Sequence, residues 1–175
     1  MSGSDLHRWC GVAAILAGVV FILGWLLSLA NSLSPLLLSL VSLAEILALV
    51  GLVGFHILQK GSYGRIGRVG FYVAVVGFLA EILAIALLSL GSVAYGGLLA
   101  IGYLGQAVGL VLYGAATLQA KVLPRWCGIG FIIVAPLAYI LGSFGNVLFG
   151  LIWLALGYAL WSQKEASERQ STRVS

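Results

Sequence analysis

Charged residues are scarce in this chain, and their scarcity excludes an ordinary soluble domain. Lys, Arg, Asp and Glu together make up 8% of the 175 residues, while hydrophobic residues make up 62%. About a quarter of the residues of a soluble globular domain are charged. The composition therefore predicts a single all-α domain that lies in a lipid bilayer, with the bilayer itself as its main partner.

Cysteine and histidine are rare as well, with two of each in the chain. Cys10 and Cys127 form no CxxC pair, and no histidine lies at the depth of the buried acidic residues. The sequence also lacks the HExxH, phosphate-loop and nucleophile-elbow motifs of common enzyme classes. It therefore predicts no catalytic residues, no metal site and no enzymatic activity, and it points to no particular cofactor.

Basic residues are few, and their placement is regular. The nine Lys and Arg residues fall in alternate connections between apolar stretches: Arg8; Lys60, Arg65 and Arg68; Lys121 and Arg125; Lys164, Arg169 and Arg173. Because they are scattered rather than gathered on one face, they do not predict nucleic-acid binding. By the positive-inside rule, they predict that both termini and two basic loops are cytoplasmic, in a prokaryotic inner or plasma membrane.

Long apolar stretches dominate what is present. Six of them approach the roughly 20 residues that cross ~30 Å of hydrocarbon, and the predicted spans are 9–29, 35–58, 68–90, 96–119, 126–143 and 145–163. Together they form a transmembrane domain over residues 1–163. The polar remainder, 164–175, is predicted to be a short disordered cytoplasmic tail.

The spans show signs of an internal repeat. Arg8-Trp9-Cys10-Gly11 recurs as Arg125-Trp126-Cys127-Gly128, and a looser Gly-Arg-Val-Gly opens the third span at 67–70. These echoes predict three parallel, pseudo-repeated helical hairpins of roughly 57–60 residues each. The arrangement resembles the small six-helix acid-resistance membrane proteins of the HdeD type, a resemblance that implies a stress-related or membrane-integrity role.

Small residues recur inside the spans. Gly105 and Gly109 form a GxxxG, and Gly70 and Gly77 lie two turns apart. In lipid, helices associate by close contact at such residues. The pattern predicts helix seams either within one bundle or between the copies of a homo-oligomer.

Two glutamates are the unusual feature of the spans. Glu45 and Glu81 each lie in the letters Leu-Ala-Glu-Ile-Leu-Ala, and a carboxylate at mid-bilayer costs about 2.5–3.5 kcal/mol on insertion scales. Counting from the basic residues places both of them, with Gln106 and Tyr139, at ~20–22 Å from the cytoplasmic charges. The sequence predicts a ligand- or ion-binding layer of these four residues, in which Phe149 takes the repeat position of Glu45 and Gln106.

A polar stripe extends from this layer. Tyr103, Tyr113 and Thr117 share a helical face with Gln106, and His56 lies on roughly the same face as Glu45, ~16 Å nearer the cytoplasm. These four residues are a predicted path toward the cytoplasmic side. For His56 an interfacial position is the competing interpretation.

Two functions remain open from the sequence. In the first, the chain is a small transporter, solute-binding subunit or channel in which the intramembrane carboxyls bind a proton, a cation or an amine-like solute. In the second, it is a structural or stress-related accessory membrane protein in which protonated glutamates are helix-packing contacts.

Overall fold

The computed structural model describes residues 3–29 and 34–171, and the regular secondary structure in these ranges is entirely helical. Six α-helices follow in order: α1 Gly3–Ser28, α2 Pro35–Gln59, α3 Arg65–Ser89, α4 Tyr95–Ala120, α5 Arg125–Leu141 and α6 Gly145–Ser171. A 3-10 turn, Gly142–Phe144, joins α5 to α6. The predicted all-α class is confirmed, and five of the helices are long and apolar enough to cross a membrane, which indicates an integral membrane protein.

The fifth predicted span is the exception. Helix α5 has 17 residues, or ~25 Å of helix, and it ends at Gly142, whose φ of 55° is a left-handed value that favours glycine. The predicted span 126–143 is thus a shorter apolar helix followed by a 3-10 turn. This early end brings the α5–α6 connection close to the interior of the bundle.

Helix α6, in contrast, is longer than predicted. It continues to Ser171, so residues 164–171 are helical where the sequence analysis predicts a disordered tail, while 172–175 lie outside the described residues. The segment is rich in Lys, Glu, Ala, Arg and Gln, which are good helix formers, and it contains neither Gly nor Pro to stop a helix already under way.

The helices form a closed ring in chain order. Each one packs against the next, and α6 packs back against α1. Neighbouring helices run antiparallel, so the connections at 60–64 and 121–124 lie at one end of the bundle, here called the basic end. The connections at 90–94 and 142–144 lie at the opposite end.

Glycine seams hold the ring together. The most extensive helix contact is between α3 and α4, where a Cβ built at Gly105 would lie 2.8 Å from the Cα of Gly77. Gly70 and Gly109 lie in the same seam, because a Cβ at Gly70 would lie 3.0 Å from the carbonyl oxygen of Gly109. These glycines therefore face one another within a single chain and are not available to a second copy.

The predicted three-hairpin repeat stays a prediction. α1 and α2 pack closely, as do α3 and α4, but the contact of α5 with α6 is less extensive than that of α1 with α6. The α1–α6 seam is again built on glycine: a Cβ at Gly157 would lie 2.8 Å from the carbonyl oxygen of Gly11.

We predict that Gly77→Leu destabilises the protein, because the new side chain would enter the α3–α4 seam, where Gly105 and the backbone of Gln106 leave no room. Overpacking of this kind costs about 1–3 kcal/mol. The apparent melting temperature in detergent measures it. Gly97→Leu is the matched control, since nothing lies within 4 Å of a Cβ at Gly97; equal melting temperatures for the two variants would contradict the seam.

Candidate functional site

A cavity of about 350 Å³ lies on the axis of the ring. Every one of the six helices contributes to its lining, together with Gly142 of the α5–α6 turn. The lining residues are Phe21, Glu45, Glu81, Tyr103, Gln106, Ala138, Tyr139, Gly142, Asn146 and Phe149. Since the lining reaches the α5–α6 turn, the cavity belongs to the half of the bundle opposite the basic end.

The polar floor of the cavity is a cluster of two carboxyls and one amide. Gln106 Nε2 donates one hydrogen bond to Glu45 Oε2 at 3.1 Å and another to Glu81 Oε2 at 2.7 Å. The exposed fractions of Glu45, Glu81 and Gln106 are 3%, 6% and 1%. We call these three residues the carboxyl–amide cluster, and it joins α2, α3 and α4.

The backbones of α3 and α4 lie very close together at their seam, and this closeness positions two members of the cluster. A Cβ at Gly102 would lie 2.9 Å from the backbone nitrogen of Glu81, and a Cβ at Gly77 would collide with the backbone nitrogen of Gln106. Each of the two polar residues therefore packs its backbone against a glycine of the other helix. With longer side chains there, the helices would separate and the amide could not reach both carboxyls.

The cavity is acidic and contains no compensating positive charge. Among the lining residues are two glutamates and no Lys, Arg or His. Gln106 engages one oxygen of each carboxyl, and no described residue donates a hydrogen bond to either Oε1. Because two unpaired carboxylates are very costly inside a membrane protein, their charge must be neutralised by a proton or by a cation that enters from outside.

Aromatic rings form much of the cavity wall. Tyr103 of α4 and Tyr139 of α5 lie with ring centroids 4.7 Å apart, and each is 37% exposed. Phe21 of α1 and Phe149 of α6 form a second pair, edge to face, at 4.9 Å. The structure thus brings Tyr139 to the same cavity as Glu45, Glu81 and Gln106. Phe149, the residue that the predicted repeat aligns with Glu45 and Gln106, also lines this cavity.

A layer of packed rings lies between this cavity and the basic end. It consists of Phe55, Phe78, Tyr113, Phe131 and Trp153, one from each of helices α2 to α6, all with no exposed surface. Phe131 is central: its ring lies 5.1 Å from Phe55, 5.2 Å from Tyr113 and 6.2 Å from Trp153. We call these five residues the aromatic plug. It cannot be predicted from the sequence, because buried aromatic residues occur at positions that resemble any other apolar position.

The residues of the predicted cytoplasmic path are distributed differently from the prediction. Tyr103 lies on the cavity wall, on the other side of Gln106 from the basic end. Tyr113 belongs to the plug, where its Oη accepts a hydrogen bond from Gln59 Nε2, and Thr117 Oγ1 donates to the carbonyl of Tyr113. Packed side chains, rather than an open path, surround these two residues.

His56 lies near the basic end in a small aromatic group. Its ring stacks on Phe71 with centroids 3.8 Å apart, and its Nδ1 is a hydrogen-bond partner of the Tyr63 hydroxyl. Burial raises the pKa of Tyr63 to about 12, with Tyr72 raising it further and Arg68 opposing the rise, so the hydroxyl keeps its proton. His56 is thus held by side-chain packing at the end of α2, apart from the carboxyl–amide cluster.

Asn146 is a lining residue that the sequence analysis missed. It lies in the first turn of α6, three residues before Phe149, and therefore on the same helix face. That spacing is a signal present in the sequence, whereas the predicted repeat aligns only the apolar Phe149 with Glu45 and Gln106.

No protein-family model, curated protein or solved structure matches this chain. A function is therefore proposed from the geometry of the cavity.

We predict that Gln106→Leu destabilises the protein more than Gln59→Leu does, although both side chains are fully buried. The first change removes two interhelical hydrogen bonds to carboxyls, and such bonds average about 0.6 kcal/mol each in membranes. The second change removes only one hydrogen bond, from Gln59 Nε2 to Tyr113 Oη. It also removes a buried amide oxygen that has no hydrogen-bond partner among the described residues, so part of its cost is offset. Melting temperatures in detergent compare them, and a larger loss for Gln59→Leu would count against the carboxyl–amide cluster as a structural unit.

Proposed function

We propose that this integral membrane protein binds a proton, a cation or an amine-like solute at the carboxyl–amide cluster, and that it acts as a small transporter or solute-binding subunit. One observation carries the proposal: two buried carboxyls lie at the floor of a cavity whose lining offers no basic side chain to pair with them. Intramembrane acidic residues that face a cavity typically mark ion or substrate pathways. The proposed role is binding and transport rather than catalysis.

The aromatic plug favours a transporter or binding subunit over a channel. Five fully buried rings occupy the interior between the cavity and the basic end. A channel needs a continuous pore, whereas a carrier exposes its site to one side at a time. We propose that the site is reached from the end that carries the α5–α6 turn, because Gly142 of that turn lines the cavity.

The orientation is proposed from the basic residues. Lys60, Arg65, Lys121 and Arg125 lie at or beside the connections of the basic end, and positively charged connections remain in the cytoplasm of bacterial-type membranes. The termini are proposed to lie on that same cytoplasmic side. The cavity would then open to the outer face of a prokaryotic inner or plasma membrane.

A second candidate function is supported by the same hydrogen bonds. Gln106 ties Glu45 of α2 to Glu81 of α3, and the direct contact between α2 and α3 is otherwise one of the less extensive in the ring. Protonated glutamates could therefore be helix-packing contacts in a structural or stress-related accessory protein. Interhelical hydrogen bonds in membranes average about 0.6 kcal/mol, so such a role would be a modest one.

Titration of the carboxyls distinguishes the two functions. We expect infrared difference spectra, recorded from mildly acidic to mildly alkaline pH, to contain a protonated-carboxyl band whose change is altered by Glu45→Gln and by Glu81→Gln. Glu165→Gln, beyond the apolar part of α6, is the matched control and should leave that change intact. A band that neither cavity variant affects would favour the packing role.

Side-specific labelling tests the orientation. In a background where Cys10 and Cys127, both buried, are replaced by alanine, we expect Val93→Cys to react with a membrane-impermeant maleimide on intact cells. Val93 is 94% exposed in the α3–α4 connection. Ser62→Cys, exposed in the α2–α3 connection, should react only after permeabilisation, and the reverse pattern would place the cavity on the cytoplasmic side.

A further inference from the structure

We infer that the cavity selects a small alkylammonium ion over metal cations of the same charge. This inference rests on the proposed function, since it names the class of ligand that the carboxyl–amide cluster would bind. It is carried by the division of the lining into an acidic side and an aromatic side.

The acidic side comes from two neighbouring helices, and the rings come from the other four. Glu45 and Glu81 belong to α2 and α3. The rings form two pairs across neighbouring helices, Tyr103 with Tyr139 and Phe21 with Phe149. A ligand in the cavity therefore meets the carboxyls on one side, and on the other sides it meets the four rings together with Ala138, Gly142 and Asn146.

An alkylammonium ion matches both sides. Its N–H groups can donate to the Oε1 atoms of Glu45 and Glu81, which no described residue occupies, and a hydrogen bond to a charged oxygen is the stronger kind. Its positive charge is attracted by the electron-rich face of an aromatic ring. Its alkyl carbons make apolar contacts with the same rings.

A metal ion fits this lining less well. Hard cations require a shell of about six or more oxygens, and the Gln106 amide already uses one oxygen of each carboxyl. Within the described residues, no three or more His, Cys, Asp or Glu side chains come together as a metal-binding group. The side chains of Phe21, Phe149 and Ala138 supply no oxygen, so K⁺ or Na⁺ entering the cavity would lose hydration that this part of the lining does not replace.

The volume limits the ligand to a small one. About 350 Å³ is near the lower end of the ~300–1,000 Å³ found for ligand pockets. Short-chain primary or secondary ammonium ions can occupy this space with the charge at the floor and the carbons toward Tyr139.

Calorimetric titration of the protein in nanodiscs with ethylammonium chloride and with potassium chloride tests the inference, in a buffer free of other amines and of K⁺. We expect ethylammonium to bind at least tenfold more tightly than K⁺. Tyr139→Leu should reduce that preference severalfold, while Tyr139→Phe, which keeps the ring, should retain most of it. Equal or tighter binding of K⁺, or an unchanged preference in Tyr139→Leu, would overturn the inference.

The failure of this inference can be distinguished from failure of the proposed function. If the carboxyl band still titrates and responds to Glu45→Gln and Glu81→Gln, but ethylammonium is not preferred, the site binds a proton or another cation and the selectivity alone is wrong. If neither salt binds and the band does not respond to these variants, both proposals are wrong.

Discussion

The close approach of α3 and α4 is the constraint on which the rest of the site depends. Without glycine at 77 and 102, the backbones of Glu81 and Gln106 could not pack against the opposite helix, and one amide group could not donate to carboxyls on both α2 and α3. In lipid, where apolar surface provides no net drive for helix association, small residues are what permit such approach. The glycines therefore determine where the polar chemistry lies as well as how the helices pack.

Because the helices form a closed ring, this local constraint affects the whole interior of the bundle. Because α6 returns to α1, the six inward faces meet around a common axis, and whatever side chains point there must fill it or leave a cavity. Towards the basic end, large rings fill the axis; at the other end, α5 stops early at Gly142 and the axis is left partly open. A ring of six helices thus has one half packed with aromatic rings and one half that contains the cavity.

Much of this fold was predictable from the sequence, because lipid imposes simple rules. Five long apolar helices follow from runs of about 20 apolar residues, and the N-cap of α2 at Ser34, whose side chain accepts a hydrogen bond from the backbone of Leu37, follows from its position before Pro35. Counting residues from the basic ends was sufficient to place Glu45, Glu81 and Gln106 at one depth. Depth along a helix increases by about 1.5 Å for each residue, so it can be counted directly from the sequence.

Direction around a helix axis is not linear in this sense, and neighbouring helices decide what each side chain contacts. Tyr103, Tyr113 and Thr117 share a face of α4, yet only neighbouring helices decide that Tyr103 meets a cavity while Tyr113 meets Phe131. The end of α5 depends on the backbone conformation at Gly142, and this conformation, like the packing around α4, is not encoded by any single residue. The length of α6 has a different origin, because the helix formers at 164–171 let the helix continue.

The position of the plug also has an electrical consequence. A membrane potential falls across whatever separates the two aqueous phases, and packed apolar rings at one end with an accessible cavity at the other make that barrier unequal along the axis. Glu81 lies ~12 Å along α3 from the end of the helix at Ser89. The proposed cation would therefore cross part of the field to reach Glu81. A full crossing is worth about 2.3 kcal/mol per charge at 100 mV, so occupancy of the proposed site would depend on voltage as well as on concentration.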